Sequence, residues 1–182
     1  MPFKVKYNIY EQGKQAPSFT SHDRTLVNIE YAHMTGKQGM LVRVVPVVTP
    51  VEPLTKSEEY LFLVYDVRRL QRIYFNQGRR QDDLKASLDK EARLDRWNTA
   101  TRHYFDTHPE KEAELANMPH SIDKKLHYCF FSIVEAWRKA WHEYMGYKKR
   151  KGKNIMIEKE MKQKCFDYEK AIDEYITKTI GI

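Results

Sequence analysis

An α+β fold is what this 182-residue sequence predicts: a small N-terminal antiparallel sheet of two or three strands, then an irregular bundle of about four helices. Three observations carry the prediction. Apolar and polar side chains alternate at period two over the first ten residues, and from Thr55 the apolar spacing changes to steps of three and four. The composition, 41% hydrophobic and 31% charged with only seven glycines and seven prolines, is that of a helix-rich globular chain rather than a disordered one. The length suits a single domain, 1–182, mainly extended over 1–54 and mainly helical over 55–182.

In the first strand Phe3, Val5, Tyr7 and Ile9 alternate with Lys4, Lys6, Asn8 and Tyr10, the mark of a half-buried strand. A second strand is expected over Leu26 to Tyr31 and a third over Met40 to Val48, joined as a hairpin through the glycine-containing stretch 35–39. Pro46, Pro50 and Pro53 interrupt the third strand, and proline gives no donor to a sheet ladder. That strand therefore belongs at an edge or ends near Val45, with Pro46 to Leu54 as a stiff extended connector.

Thr55 followed three residues later by Glu58 has the form of a capping box, and Tyr60, Leu63, Val67, Leu70 and Tyr74 mark one face of a helix reaching about Phe75. Asp82 and Asp83 suit the positive end of a second helix running to about Phe105. Pro109 and Pro119 bracket an acidic connector. A central helix is expected over Ile122 to Met145, capped by Ser121, closed by Gly146 and buried along a stripe that includes Trp137 and Trp141. A last helix is expected over Ile157 to Thr179, with Met161, Cys165, Tyr168, Ile172 and Tyr175 at coiled-coil spacing over about two heptads.

Residues 1–7 alternate apolar with basic side chains and lack the apolar core of a secretory signal, and the longest apolar run, Tyr60 to Tyr65, is far short of the roughly 20 residues that span a bilayer. A cytoplasmic protein with no membrane partner is expected, its two cysteines, Cys129 and Cys165, reduced and packed. Phosphate-binding glycine loops, GxSxG and HExxH are absent. His103, Asp106 and His108 lie close in sequence, but two histidines five apart point to different sides of a helix, so a capping or solvated cluster is the better reading. His120 or His127 beside Cys129 lacks any thiol-catalysis motif, and the carboxylates of 82–95 stand among lysines and arginines. No cofactor, no metal and no enzymatic activity are expected.

Basic charge is the informative feature. Of a net +7, residues 55–80 hold +3 and residues 120–153 hold +6, offset elsewhere. Arg69 and Arg72 align on the face opposite the apolar stripe of the first long helix, with Arg68 beside them and Arg79 and Arg80 in the turn that follows. Lys148, Lys149, Arg150, Lys151 and Lys153 form a second cluster after Tyr144 and Tyr147. The expectation is a non-enzymatic protein that associates with nucleic acid through these ten residues. A structural or adaptor subunit of a larger assembly, such as a phage or multiprotein particle, is the second reading, with self-association through the last helix.

Overall fold

The computed structural model describes residues 2–36, 41–51, 53–76 and 81–182. The chain divides into two compact units, Met1–Thr55 with Lys178–Ile182, and Lys56–Thr177. The boundary falls beside the change of period at Thr55, and the C-terminal five residues join the first unit.

The first unit holds β1 (Phe3–Glu11), β2 (Phe19–Ser21), α1 (Arg24–Gly36) and β3 (Val42–Pro50). The strands form an antiparallel sheet in the order β2-β1-β3, with β1 central. Tyr7 and Ile9 of β1 pack with Val27 and Met34 of α1, and Val5, Phe19 and Val42 border them. The Tyr7 hydroxyl donates to the carbonyl of Gly181. The residues of opposite parity, Lys4, Lys6, Asn8 and Tyr10, occupy the other face of the sheet.

One expectation fails in this unit. Leu26 to Tyr31 is not a strand but part of α1, started by Asp23, whose carboxylate accepts the backbone N–H of Thr25 at 2.8 Å. Leu26 and Ile29 of that expected strand are 50% and 61% exposed, and the buried pair is Val27 and Met34, seven apart as on one helix face. The expected hairpin turn falls partly on residues 37–40, outside the described residues. The third strand lies at an edge of the sheet, the first of the two places expected for it, and it continues through Pro46 to Pro50 rather than ending near Val45. The register explains how. Val51 donates to the Pro2 carbonyl and Gln12 to the Leu41 carbonyl, so the even-numbered residues of β1 exchange the ladder bonds with odd-numbered residues of β3. Pro46 and Pro50 sit opposite Tyr7 and Phe3 in the non-bonded pairs, their nitrogens turned to the free edge where no ladder bond is lost.

The second unit holds α2 (Lys56–Asn76), α3 (Gln81–Thr107), α4 (Pro109–Asn117), α5 (Asp123–Lys148) and α6 (Ile155–Ile180) up to Thr177. The described residues therefore form six helices rather than about four. The additions are α1 and α4, the latter occupying the expected acidic connector with Pro109 in its first turn, where the missing N–H costs nothing. Tyr60 bonds Asn98 while Lys90 reaches Asp66, so α2 and α3 run antiparallel. Arg138 pairs with Asp95 and Glu135 with Arg102, so α3 and α5 do the same, as do α5 and α6 through Phe130 on Tyr175 and Trp141 on Glu169.

Trp137 lies at the centre, wholly buried, with the guanidinium carbons of Arg68 and Arg138 each 5.4 Å from its ring centroid. Its neighbour Trp141, expected in the main core, is only half-buried. α5 also differs at both ends: Ile122 rather than Ser121 occupies the cap position, and the helix passes through Gly146 to Lys148. No neighbouring atom lies near enough to Gly146 to demand a glycine, so helix continuation wins.

Arg102 fixes α4 against its neighbours, donating to Glu135 at 2.6 and 2.9 Å and to Glu112 at 2.8 Å, while the Tyr128 hydroxyl also donates to Glu112. Lys125, buried, caps the end of α4 by donating to the Ala116 carbonyl.

Two outcomes follow from this packing. Trp137→Ala removes a fully buried indole and leaves a cavity, and a loss of about 3–5 kcal/mol in chemical denaturation is expected. The hydrogen bond from Arg102, with that from Tyr128, holds the Glu112 carboxyl below its ordinary value of 4.5. Its folded-state pKa being the lower one, the stabilisation is present above 4.5 and fades as pH falls through the folded value. Denaturation midpoints measured through that range should decline less steeply in Glu112→Gln than in the wild type.

Candidate nucleic-acid interface

The ten basic residues named from the sequence separate into groups with different surroundings. Arg79 and Arg80 lie outside the described residues. Arg68, on α2, is buried, with its side chain 8% exposed. It donates to both oxygens of Asp173 at 3.2 and 3.0 Å, lies 3.1 Å from Glu169, and reaches the Gln71 side chain at 3.0 Å. Arg72 pairs with Asp173 at 2.6 Å and Arg69 with Asp66 at 3.2 Å. Three guanidiniums thus face three carboxylates. The expected basic face of α2 is one of paired arginines, and Tyr65, one turn before Arg69, is buried.

For Arg68 the physical reason lies in the surroundings of α2, which is buried from Tyr60 to Arg68 apart from half-buried Phe62, while Arg69 and Arg72 lie beyond that stretch. Such a stretch has no solvent side for its polar residues, so each must find a partner on a neighbour. Arg138 of α5 obeys the same rule. Burial opposes its charge, but its hydrogen bonds with Asp95 and the charges of Glu91 and Asp95 outweigh that effect and raise its pKa.

The second cluster is built differently. α5 ends at Lys148, a turn follows, and α6 begins at Ile155. Gly152 at φ +68° supplies the left-handed residue of the turn, a conformation that strains residues with a Cβ. Asn154 caps α6 by accepting the backbone N–H of Met156 at 2.8 Å, and its own N–H donates to the Tyr147 hydroxyl at 2.8 Å. The Arg150 guanidinium lies 5.7 Å from the Tyr147 ring centroid. Lys153 is committed to Glu158 at 3.3 Å and donates to the Lys148 carbonyl. Lys148, Lys149, Arg150 and Lys151 are exposed and pair with no carboxylate among the described residues.

Sequence reading missed what borders this turn. Ile155 and Met156, 67% and 63% exposed, stand at the start of α6, with Ile157 and Met145 also exposed. The signal was present: three consecutive apolar residues cannot share one helix face, so some must meet solvent.

Elsewhere, His108 stacks on Tyr104 with centroids 4.6 Å apart, and its Nδ1 lies 3.0 Å from both the Tyr104 carbonyl and the Thr107 hydroxyl. Among the described residues no group of three His, Cys, Asp or Glu is placed to hold a metal, and no helix is long and apolar enough to cross a membrane. Cys129 and Cys165 are unbonded. Comparison with known proteins returns no match, whether to a family model, a curated protein or a solved structure.

Cys165 is fully buried against Ala140 and Tyr144. Burial, with the nearby charge of Glu169, pushes its thiol up to about 11. Iodoacetamide should leave Cys165 unlabelled in the native protein at mildly alkaline pH and label it on unfolding, as peptide mass mapping would show.

Proposed function

We propose that this chain is a non-enzymatic protein that holds nucleic acid through the turn between α5 and α6. The observation that carries the reading is the contrast between the two basic clusters. The arginines of α2 each pair with a carboxylate of the protein, Arg68 in the interior and Arg69 and Arg72 at the surface, whereas Lys148 to Lys151 present four successive cations with no carboxylate partner among the described residues. Such a group lowers its free energy by meeting an external polyanion, because each phosphate contact releases condensed counterions. Tyr147 at the base of the turn adds an aromatic ring, and the positive charge lies at the C-terminal end of α5, where the helix dipole favours cations.

A second reading, a subunit of a larger assembly, is supported by the exposed Ile155, Met156 and Ile157 beside the same turn. Apolar side chains in such a group suit a protein partner.

Replacing Lys148, Lys149, Arg150 and Lys151 by alanine should flatten the slope of log affinity against log salt by about 3, at roughly 0.7 to 0.9 per lost phosphate contact. Melting should change little, since exposed charges contribute little to folding. Arg69→Ala with Arg72→Ala should leave the slope nearly unchanged. Fluorescence anisotropy across a salt series measures both. A wild type without salt-dependent binding to DNA or RNA at low ionic strength refutes the nucleic-acid reading, and discrete self-association in sedimentation would then support the second.

A further inference from the structure

We infer that the open face of the N-terminal sheet is a second nucleic-acid surface, one that takes a single strand. The inference borrows its ligand class from the reading above but rests on different residues in the other unit. On this face β1 presents Lys4, Lys6, Asn8 and Tyr10, and the register sets Thr49, Val47, Val45 and Arg43 of β3 directly opposite them. α1 packs on the reverse face through Val27 and Met34. Lys4, Lys6 and Arg43 are exposed, and none pairs with a carboxylate among the described residues. No acidic residue lies on this face in β1, β2 or β3; Glu11 belongs to the other parity, where it binds Lys14 and Ser18.

Charge alone would suit any polyanion, and the aromatic component narrows the choice. Tyr10 is half-buried and held in place, its hydroxyl accepting from the Asn8 side chain at 3.3 Å. Asn8 in turn accepts from Thr20 of β2 at 2.8 Å, so side chains of β1 and β2 brace one another across the face. The Arg43 guanidinium stands 5.2 Å from the Tyr10 ring centroid. At the end of the face Tyr10 and Arg43 also line an open cleft of about 410 Å³ with Leu41 and the paired Glu11 and Lys14. A braced ring beside cations on a sheet is the arrangement on which unpaired bases stack while their phosphates meet lysine and arginine. Bases in a duplex are already stacked on each other and offer that ring nothing.

The test compares oligo(dT), oligo(U) and a duplex of equal length by anisotropy over a salt series. Its variants are Lys4→Gln/Lys6→Gln/Arg43→Gln, Tyr10→Leu, Tyr10→Phe and the alanine variant of the α5–α6 turn. The triple variant should flatten the single-strand slope by about 2, at roughly 0.7 per contact, and move the duplex curve much less. Tyr10→Leu should weaken single-strand binding at least about fivefold, and Tyr10→Phe should keep it, since the ring and not the hydroxyl stacks. Ultraviolet cross-linking of the unaltered protein to a bromouracil-substituted strand should mark Tyr10, which decides the matter if a variant folds poorly. Wild-type single-strand binding by the triple variant, or cross-links confined to the α5–α6 turn, overturns this inference and leaves the turn reading standing. Loss in the sheet variants with none in the turn variant does the reverse. Capture by phosphatidylserine vesicles that depends on Lys4, Lys6 and Arg43 and resists competition by oligonucleotide assigns the face to anionic lipid and overturns it too.

Discussion

Two buried guanidiniums share one indole, and the helical unit is arranged around satisfying them. Arg68 and Arg138 both lie over Trp137, and taking each from water costs several kcal/mol unless carboxylates meet it in good geometry. Neither helix that carries these arginines supplies the main partners. Arg68 of α2 takes Glu169 and Asp173 from α6, and Arg138 of α5 takes Glu91 and Asp95 from α3. Gln71 closes the gap, accepting from Arg68 and donating to Glu91, so that one run of polar contacts touches all four long helices. Glu169 also accepts from the indole N–H groups of Trp137 and Trp141. Sliding α6 by a single turn would bring Cys165 or Thr177 to the place of one of the two carboxylates and leave Arg68 with only one. Apolar contacts tolerate such shifts better than a buried charge does, and the polar run therefore restricts the register that the apolar residues alone leave loose.

That requirement changes what the chain's positive charge means. A net +7 invites the reading that every basic cluster faces outward with its charge unmet, yet Arg68 is buried and Arg69 and Arg72 are paired with carboxylates at the surface. Lys148 to Lys151, and Lys4, Lys6 and Arg43 on the sheet face, are among the cations that meet no carboxylate in the described residues. Arginine suits the interior task, since its planar fork meets two carboxylate oxygens at once, and lysine dominates the exposed sets.

The legibility of each element follows from how local its determinants are. α2 and α6 were visible almost to their ends because their apolar positions repeat at three and four over about four turns. α1 was misread because Leu26, Val27, Ile29 and Tyr31 mimic a strand, and the deciding feature, Asp23 as cap, is a single side chain. α4 was read as a connector because nine residues between two prolines carry too few apolar positions to show a period. The fate of Arg68 was invisible for another reason. Its partner Asp173 lies 105 residues away, and no spacing along one helix reveals that its polar side faces another helix. The sheet face was half visible: the alternation of β1 was plain, but that β3 places Arg43 opposite Tyr10 depends on a register the sequence does not print.

The same register argues that β3 offers a partner its face and not its edge. An added strand would have to bond to the outward N–H and C=O groups of the even-numbered residues from Val42 to Pro50. Pro46 and Pro50 have no N–H, so the outward donors are those of Val42, Val44 and Val48, broken at the middle and absent at the end. Prolines on an edge strand are how sheets discourage further strands. A protein that recruited peptides by strand addition would be poorly served by this edge. A sheet that must stay open on one face, with two lysines, an arginine and a braced tyrosine there, is well served by it, because the blunted edge keeps other chains from extending the sheet while the side chains remain available.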